Sequence, residues 1–505
     1  MNDEARNRRL FIASFLTLIA AGMGFSIRAG ILGEWESQFG FTKSELGEIT
    51  GLGLAGFGVT IILCSLFADR VGYKLLMVAA FLLHASSAVV TLAATPAFGD
   101  GGQDGKHAAM LCLKIGMTLF ALANGVCESV INPLVATIYP KQKTHYLNIL
   151  HAGWPGGLIL GGVIVYLFSG RTPVASHLRW EITLGLFLVP TLIYGMMVLR
   201  DKFPESEARA AGVDFATMLK ELAQPMLLFL FFLHALVGYV ELGTDSWITD
   251  IMNNVISGKA VLLFIYTSAI MFVLRFFAGP IVERINPVGL LFASAVLGAC
   301  GLYWLGSITT SDAVAAGTAG TAVFLAATIY GVGKTFLWPT MLGVVGERFP
   351  RGGALTMGTI GGIGMLSAGL LGGPGIGYKQ DYYAAEKLKE TSAATFDEYA
   401  SKDKPNSFLV FPKITGLDGT KVGAIKDKVK EGRAITTEEQ LVLDAGLYGG
   451  GMALKWTAVV PLTMAVGYLL LVIYFRAKGG YQVEVLHGKK PEGEHYTGGV
   501  EGPVE

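Results

Sequence analysis

The sequence has few charged residues and no net charge. Asp, Glu, Lys and Arg make up 15% of its 505 residues, against roughly 25% in soluble domains. Lys plus Arg and Asp plus Glu number 39 each, so the charge balance indicates neither a nucleic acid nor an acidic partner. Hydrophobic residues make up 52%, and the mean hydropathy is +0.52. A chain with so little polar surface cannot enclose a soluble core of this size, so composition predicts a multi-pass membrane protein.

The motifs of enzymes and of cofactor binding are also missing. The sequence contains no Walker loop, no nucleophile elbow and no Cys/His spacing typical of metal ligands. The four cysteines all lie inside apolar runs, where they are typical small core residues. They are Cys64, Cys112, Cys127 and Cys300. We therefore expect no enzymatic activity, no metal, no cofactor and no direct use of ATP.

Long apolar runs are abundant. A bilayer core needs about 20 apolar residues per helix, and the chain offers twelve such runs. Their approximate limits are 10–33, 46–68, 75–95, 109–136, 146–169, 179–199, 225–248, 259–281, 287–307, 317–345, 353–376 and 453–475. This pattern predicts an all-α membrane protein with twelve transmembrane helices.

Two polar stretches divide the twelve spans. The connection 200–224 separates six spans from six, and the charge-dense stretch 378–445 lies between spans 11 and 12, with a capping-box pattern from Thr436 to Glu439. The expected parts are a first six-helix half (1–199), a linker (200–224), a second half (225–377 and 446–477), an insert (378–445) and a tail (478–505). Basic residues near the span ends favour cytoplasmic termini and linker, and an extracytoplasmic insert. We expect a monomer in the lipid bilayer of the cell (inner) membrane.

The two halves share an internal repeat of about 210 residues. Residues 125–128 (GVCE) lead to a proline in span 4, and residues 331–334 (GVGK) lead to one in span 10. Asp69-Arg70 after span 2 likewise matches Glu283-Arg284 after span 8. Such repeats indicate two similar halves in the same orientation, an architecture of transporters that bind solute between the halves.

These motifs resemble those of a known family. The stretch 65–74 (SLFADRVGYK) resembles the loop 2–3 signature of the major facilitator superfamily, although Ser65 and Tyr73 depart from the usual Gly and Arg. The segments 124–140 and 143–157 are most similar to the fucose and glucose/galactose proton-symporter branch. The resemblance covers nearly all of the chain except the insert and the tail. It implies two pseudo-symmetric six-helix halves, with spans 1, 4, 7 and 10 lining the cavity.

The loop after span 2 carries the expected gate. Gly72 has the permissive backbone that a tight turn needs, and Asp69 can accept from a helix N-terminus or pair with a basic residue of the other half. Such a contact forms when one side of the membrane is closed and breaks when it opens. The alternative is a basic loop without a gating role. With the second copy included, the expected gating residues are Asp69, Arg70, Gly72, Lys74, Glu283 and Arg284.

Charged side chains inside the spans indicate the transport site, because such charges are costly unless they are paired or face a polar cavity. Glu128 and Lys334 hold equivalent repeat positions, so we expect them to face each other. Asn124, Glu128 and Asn132 share one helical face, which suits hydroxyl recognition together with proton carriage. We expect Glu128 to couple protons, and Arg28 and Lys334 to bind solute or form pairs. The alternative is a permanent ion pair that stabilises helix packing.

Span 5 begins close to the end of span 4 and adds further candidates. His151 is a possible proton relay to Glu128, with a packing histidine as the alternative. Trp154 and Trp338 offer flat faces on which a sugar can stack, although tryptophan is also an ordinary anchor at the membrane interface.

Three more charges lie in spans 7 and 8. Glu241 and Asp245 are one turn apart in the outer part of span 7, where they are expected to bind substrate or to be exposed at the mouth. Arg275 lies near the end of span 8, and we expect its long side chain to reach the membrane interface.

The sequence is therefore interpreted as that of a secondary transporter that works by alternating access. The leading interpretation is that a monosaccharide or similar polyhydroxy solute moves with a proton, and sodium coupling stays open. An organic or inorganic anion porter is the alternative. Glu128 close to Arg28 and Lys334 would favour a neutral solute, whereas an unpaired Arg–Lys cluster would favour an anion. A transporter-like solute sensor is an alternative of another class.

Overall fold

The computed structural model of the protein is almost entirely helical. It describes residues 3–41, 43–50, 53–168, 178–256, 260–309, 319–401, 405–484 and 486. Within these ranges, β-structure is limited to two isolated bridges, Ala400–Leu417 and Asn406–Ile414. Most of the predicted tail, residue 485 and residues 487–505, lies outside the described ranges.

Twelve helical segments, α1 to α12, correspond to the twelve predicted spans. Among the described residues, eleven helices are long and apolar enough to cross a membrane, and the eighth segment is a shorter apolar helix. In chain order the segments are Asp3–Gly30, Gly53–Val71, Tyr73–Leu92, Gly102–Ile138, Lys143–Phe168, Trp180–Arg200, Pro225–Asn253, Ala260–Arg275, Ala278–Thr309, Gly320–Arg348, Pro350–Thr391 and Thr437–Ala477. The predicted all-α fold with twelve transmembrane helices is confirmed.

Glycines on α5 let this helix lie directly against α1. A Cβ atom added at Gly157 would stand 2.3 Å from the carbonyl oxygen of Ile19, and one at Gly153 would stand 2.7 Å from that of Phe15. These neighbours are backbone atoms and cannot rotate away. The two helices therefore meet backbone to backbone, as small residues permit in membrane proteins.

The part of the chain before the linker meets the part after it mainly where α2 packs on α11 and α5 packs on α8, and also where α5 meets α10 and α4 meets α11. A Cβ atom added at Gly58 of α2 would stand 2.9 Å from the carbonyl oxygen of Gly362 in α11. Gly156 of α5 similarly lies against the ring of Phe272 in α8. The contacts between these helices form the seam between the halves.

Equivalent positions of the repeat adopt left-handed backbone conformations. Gly72, between α2 and α3, has φ 90°, and Asn286, where α9 is interrupted, has φ 52°. Asparagine tolerates this region better than most residues. Its Oδ1 atom also accepts a hydrogen bond of 3.0 Å from the backbone N–H of Gly289. The tight turn predicted at Gly72 is present, and its counterpart in the second half is built from asparagine followed by proline.

The end of the bundle that carries residues 201–224 is called the linker face. Two short helices lie there, Glu207–Ala210 and Phe215–Leu222, and their first turns are capped by the side chains of Ser206 and Asp214. An apolar cluster that includes Met218 joins them to the start of α11. The linker is thus folded against the bundle.

The opposite end, the insert face, carries the polar stretch between α11 and α12. The predicted insert boundaries, 378 and 445, fall inside helices, because α11 continues to Thr391 and α12 begins at Thr437. The capping box predicted at Thr436 and Glu439 is present. A small apolar core links both helix extensions to the segment between them. The insert therefore consists of extensions of the spanning helices α11 and α12, together with residues 392–436, which connect these two helices.

The contact between α5 and α1 leads to a first prediction. Gly157→Ala should lower the free energy of unfolding by about 1–3 kcal/mol, since the added methyl group overpacks a rigid backbone contact. Thermal unfolding in detergent measures this. Gly162→Ala on the same helix is the matched control, because its added Cβ would meet only side-chain atoms, of Ile265 at 3.5 Å and of Ser26 at 3.6 Å, which are ordinary van der Waals distances. Equal melting temperatures for the two variants would contradict the prediction.

Candidate functional site

Two ion pairs with buried cations lie in the second half. Lys334 Nζ of α10 lies 2.5 Å from Asp245 Oδ1 of α7, and Arg275 Nη2 of α8 lies 3.1 Å from Glu241 Oε1, also of α7. Both cationic side chains are at most 2% exposed. Glu241 belongs to a π-helical turn, Tyr239–Gly243, a feature that is frequent at functional sites. One helix therefore provides the carboxylates for both cations.

The structure corrects the expected partner of Lys334. The repeat predicted that Lys334 faces Glu128, but its ammonium group bonds to Asp245 within its own half. Its Nζ atom also lies 5.2 Å from the centroid of the Tyr330 ring. Removing an ammonium group from water costs several kcal/mol, so the nearest carboxylate determines its position. Equivalent positions in a repeat do not by themselves produce contacting side chains.

Arg275 does not reach the membrane interface, contrary to expectation. Besides its ion pair with Glu241, it donates to the carbonyl oxygen of Thr335 at 2.8 Å and to that of His151 at 2.6 Å. A guanidinium group can satisfy several acceptors at once because its donors spread in a rigid plane. His151 lies on α5, so Arg275 joins the two halves inside the bundle.

Glu128, Asn132 and His151 form a hydrogen-bonded chain in the first half. Asn132 Nδ2 donates to Glu128 Oε2 at 2.6 Å, and Asn132 Oδ1 lies 2.8 Å from His151 Nε2. All three residues are buried. An amide oxygen can only accept, so His151 carries a proton on Nε2 in this arrangement. The polar face expected on α4 therefore continues through His151, whose backbone carbonyl accepts from Arg275.

Arg28 lies in a separate part of the first half. Its guanidinium group donates to Ser87 Oγ at 3.1 Å and to the carbonyl oxygen of Gly24 at 3.2 Å. The guanidinium carbon lies 4.1 Å from the centroid of the Phe120 ring and 5.0 Å from that of Phe187. Within the described ranges no carboxylate pairs with it. Aromatic faces and hydroxyl or carbonyl oxygens stabilise this cation instead.

Asn124 belongs to a polar group that sequence reasoning missed. His84 Nε2 of α3 lies 3.0 Å from Asn124 Oδ1, and His84 Nδ1 lies 2.7 Å from the hydroxyl oxygen of Tyr194 in α6. His84 has no exposed surface. The sequence could have indicated this group, because a histidine in the middle of an apolar span, such as His84, requires hydrogen-bond partners.

The two candidate tryptophans occupy different environments. Trp338 is buried, and its ring centroid lies 4.6 Å from that of His234. Trp154 is only partly buried and lies 5.8 Å from the Phe25 ring. Trp338 is therefore inside the bundle, four residues after Lys334 on α10, and Trp154 lies beside α1.

Asp69 makes the contact expected of a gate on the linker face. Its Oδ2 atom accepts from the backbone N–H of Ala354 at the start of α11, at 3.1 Å, and its Oδ1 atom accepts from the Tyr73 hydroxyl at 3.0 Å. The neighbouring basic residues, Arg70 and Lys74, make contacts elsewhere. Arg70 lies over the Phe215 ring at 4.3 Å, and Lys74 donates to a backbone carbonyl at the end of α6. A carboxylate at a helix N-terminus is favoured by the helix dipole.

A carboxylate of the second half makes the equivalent contact with a helix start in the first half. It belongs to Glu347 and not to Glu283, which the repeat had indicated. Glu283 and Arg284 are exposed. The start of α5 is instead held by Glu347 of α10, whose Oε1 atom accepts from the Thr144 backbone N–H at 3.1 Å and from its hydroxyl at 2.7 Å. Glu347 also accepts from the hydroxyl of Tyr481, which follows α12. Each half therefore supplies one carboxylate to a helix start in the other half.

Further polar contacts close the linker face. Lys143 Nζ lies 2.6 Å from Glu207 Oε2 of the linker and 3.0 Å from the carbonyl oxygen of Gly346. Deeper in the bundle, Asn148 of α5 donates to Thr340 of α10 at 3.1 Å. In the described residues no group of His, Cys, Asp and Glu could hold a metal ion.

A comparison of the sequence with models of protein families identifies the family of the chain. Residues 14–373 match the Major Facilitator Superfamily. The chain therefore belongs to this family of multi-pass membrane transporters, and it is a secondary transporter and not an enzyme. No curated protein matches the sequence.

Solved structures of the family share the fold at low sequence identity. The E. coli fucose:proton symporter FucP has a TM-score of 0.61 at 12% identity, covering 91% of this chain and 98% of that one. The proton:xylose symporter XylE has 0.60 at 13%, covering 93% and 97%. The human organic anion transporter MFSD10 (TETRAN) has 0.59 at 14%, covering 92% and 99%. Such likeness shows a common fold and leaves the solute open.

The pair Arg275–Glu241 leads to a second prediction. Arg275→Met should destabilise the protein by about 3–5 kcal/mol, because it leaves a buried carboxylate without its cation. The double variant Arg275→Met/Glu241→Leu should recover part of this loss. Thermal unfolding in detergent provides the measurement. Arg433→Met is the control, since the Arg433–Glu431 pair is more than half exposed and contributes little. A double variant less stable than Arg275→Met would contradict the interpretation.

Proposed function

We propose that this transporter moves a neutral polyhydroxy solute, a monosaccharide, together with a proton. The observation that carries the proposal is the pairing of both buried cations of the second half with carboxylates. An anionic solute would have to compete with Asp245 for Lys334 and with Glu241 for Arg275. A neutral solute does not face this competition, and the amides and hydroxyls nearby suit its hydroxyl groups.

Glu128 is the proposed proton carrier. It is buried, it has no cationic partner among the described residues, and its hydrogen-bond partner is a neutral amide. A carboxyl group in such a setting can be neutral or charged without breaking an ion pair. The chain through Asn132 to His151 provides a polar route from Glu128 toward the seam between the halves. Asn124, Asn132, Trp154, Trp338, Glu241, Asp245, Lys334 and Arg28 remain proposed solute-binding residues.

The linker face is proposed to be the cytoplasmic side, in the cell membrane. Basic residues near its helix ends, such as Arg70, Lys74 and Lys143, support this orientation through the positive-inside rule. The contacts of Asp69 and Glu347 then close the cytoplasmic side and break when the halves rock apart. The proposed parts are the two six-helix halves, joined by the cytoplasmic linker, with the insert on the outer side.

Binding and flux together test the proposed solute. Purified protein is heated with L-fucose, D-xylose, D-glucose or a dicarboxylate such as succinate, since a ligand of the folded state raises the melting temperature. Proteoliposomes with an imposed pH gradient then show whether the stabilising solute accumulates. We expect stabilisation and accumulation with a sugar. Stabilisation by succinate alone would favour the anion porter, and binding without flux would favour a sensor.

A third prediction concerns Glu128. Glu128→Gln keeps the shape of the side chain and can still accept from Asn132, but it cannot lose a proton. The variant should exchange labelled solute across the membrane at a rate near that of the unaltered protein, while pH-driven accumulation falls to the equilibrium level. Exchange and accumulation are measured in the same proteoliposomes. Glu48→Gln, at an exposed carboxylate, is the control and should preserve both. Full accumulation in Glu128→Gln would remove Glu128 from the coupling mechanism.

A fourth prediction concerns the two reciprocal carboxylates. Asp69→Asn and Glu347→Gln should each retain solute binding but slow exchange several-fold, because each weakens the closed linker face by about 0.3–2 kcal/mol. Dissociation constants and exchange rates are compared. Glu283→Gln alters an exposed carboxylate at the repeat position and is the control. If Glu283→Gln slowed exchange as much as Glu347→Gln, the repeat position rather than the observed contact would define the gate.

A further inference from the structure

His234 of α7 is a buried histidine that nothing above uses. Its side chain has no exposed surface. Within the described ranges, neither ring nitrogen has a hydrogen-bond partner in the protein. His84 and His151, the other fully buried intramembrane histidines discussed above, both bond to neighbours. Buried polar groups without partners are uncommon in folded proteins and call for a specific explanation.

Close packing keeps the imidazole ring in this position. The His234 and Trp338 ring centroids are 4.6 Å apart at an interplanar angle of 59°. Both rings lie against Gly364 of α11, where an added Cβ would stand 2.7 Å from the Trp338 ring and 2.9 Å from that of His234. Any larger residue at 364 would displace one of them. The pair is therefore an ordered feature of the interior.

The His234–Trp338 pair lies next to the proposed transport site. Trp338 is one helical turn from Lys334, and His234 is two turns from Glu241. The Oε2 atom of Glu241 is also buried without a partner. Arg275, the cationic partner of Glu241, also donates to the backbone carbonyl oxygen of His151 in the first half. Unpartnered polar atoms of the second half thus lie near the polar chain of the first half.

We propose that His234 and Trp338 form a solute subsite, in which the imidazole ring bonds to hydroxyl groups of the solute and the indole ring contacts its apolar face. This inference rests on the proposed function and names the recognition chemistry. A neutral imidazole has one donor and one acceptor nitrogen. A hydroxyl group can both donate and accept, so a diol or polyol can satisfy both nitrogens. A carboxylate only accepts and would satisfy one.

Phenylalanine provides the decisive substitution, since His234→Phe keeps the flat ring and removes both nitrogens. The melting temperature without solute should stay the same or rise, because two unpartnered polar atoms disappear. The dissociation constant for the sugar that binds best among L-fucose, D-xylose and D-glucose should increase at least tenfold. His234→Asn, which retains a donor and an acceptor, should recover part of this affinity. His84→Phe is the contrasting control for stability, because it leaves Asn124 and Tyr194 without their partner and should lower the melting temperature.

Deoxy sugars identify the hydroxyl group involved. Removing the hydroxyl that contacts His234 should weaken binding to the unaltered protein at least tenfold, and it should change binding to His234→Asn or His234→Phe by much less. This comparison works with His234→Asn alone if His234→Phe does not fold. For each deoxy sugar, the loss of affinity is compared between the unaltered protein and the His234 variant. If every loss were equal in the two proteins, the inference would be wrong.

The inference and the proposed function fail in different ways. If the unaltered protein binds a sugar and His234→Phe binds it equally well, His234 is a packing residue and only the subsite is wrong. If no sugar binds the unaltered protein and succinate does, the proposed solute class is wrong, and the subsite is wrong with it.

Discussion

The low polarity of the membrane interior is the constraint on which the rest of this structure depends. A charge at that depth costs several kcal/mol unless the protein supplies a partner. The second half meets this requirement with two ion pairs built on one helix, α7. The first half meets it differently, by surrounding Arg28 with aromatic rings and Glu128 with an amide. The two halves thus share a fold and differ in how they stabilise charge, and this difference separates the proposed proton site from a region in which the buried cations are paired with carboxylates.

The contact between the halves combines two kinds of interaction with different consequences. Glycines at the seam bring α2 against α11, and such contacts require no particular charge state. Asp69 and Glu347 add directional bonds to the first turns of α11 and α5. Because each carboxylate reaches across to the other half, the proposed separation of the linker face would break both contacts together. Two modest interactions of this kind can bias an equilibrium between closed and open states without locking it, which alternating access requires.

Arg275 connects the seam to the interior. It bonds to Glu241 in its own half and to the backbone carbonyl of His151 in the other. His151 also bonds to Asn132, the partner of Glu128. A change in the protonation of Glu128 can therefore reach the contact between the halves through bonded neighbours. In the proposed mechanism, this continuity is the route by which proton binding at Glu128 and the rocking of the halves influence each other.

Much of this protein followed from the sequence by itself. Apolar runs of about 20 residues predict the twelve helices because a helix is the local solution to backbone hydrogen bonding in lipid. The glycine between spans 2 and 3 predicted the turn at Gly72, and helical spacing predicted the shared face of Asn124, Glu128 and Asn132, since both depend on residues close in sequence. The tertiary structure alone decided the long-range partners. It pairs Lys334 with Asp245 and buries Arg275, and it assigns the second helix-start contact to Glu347 rather than Glu283. Such pairs depend on which helix faces which, and helix order along the chain does not contain that information.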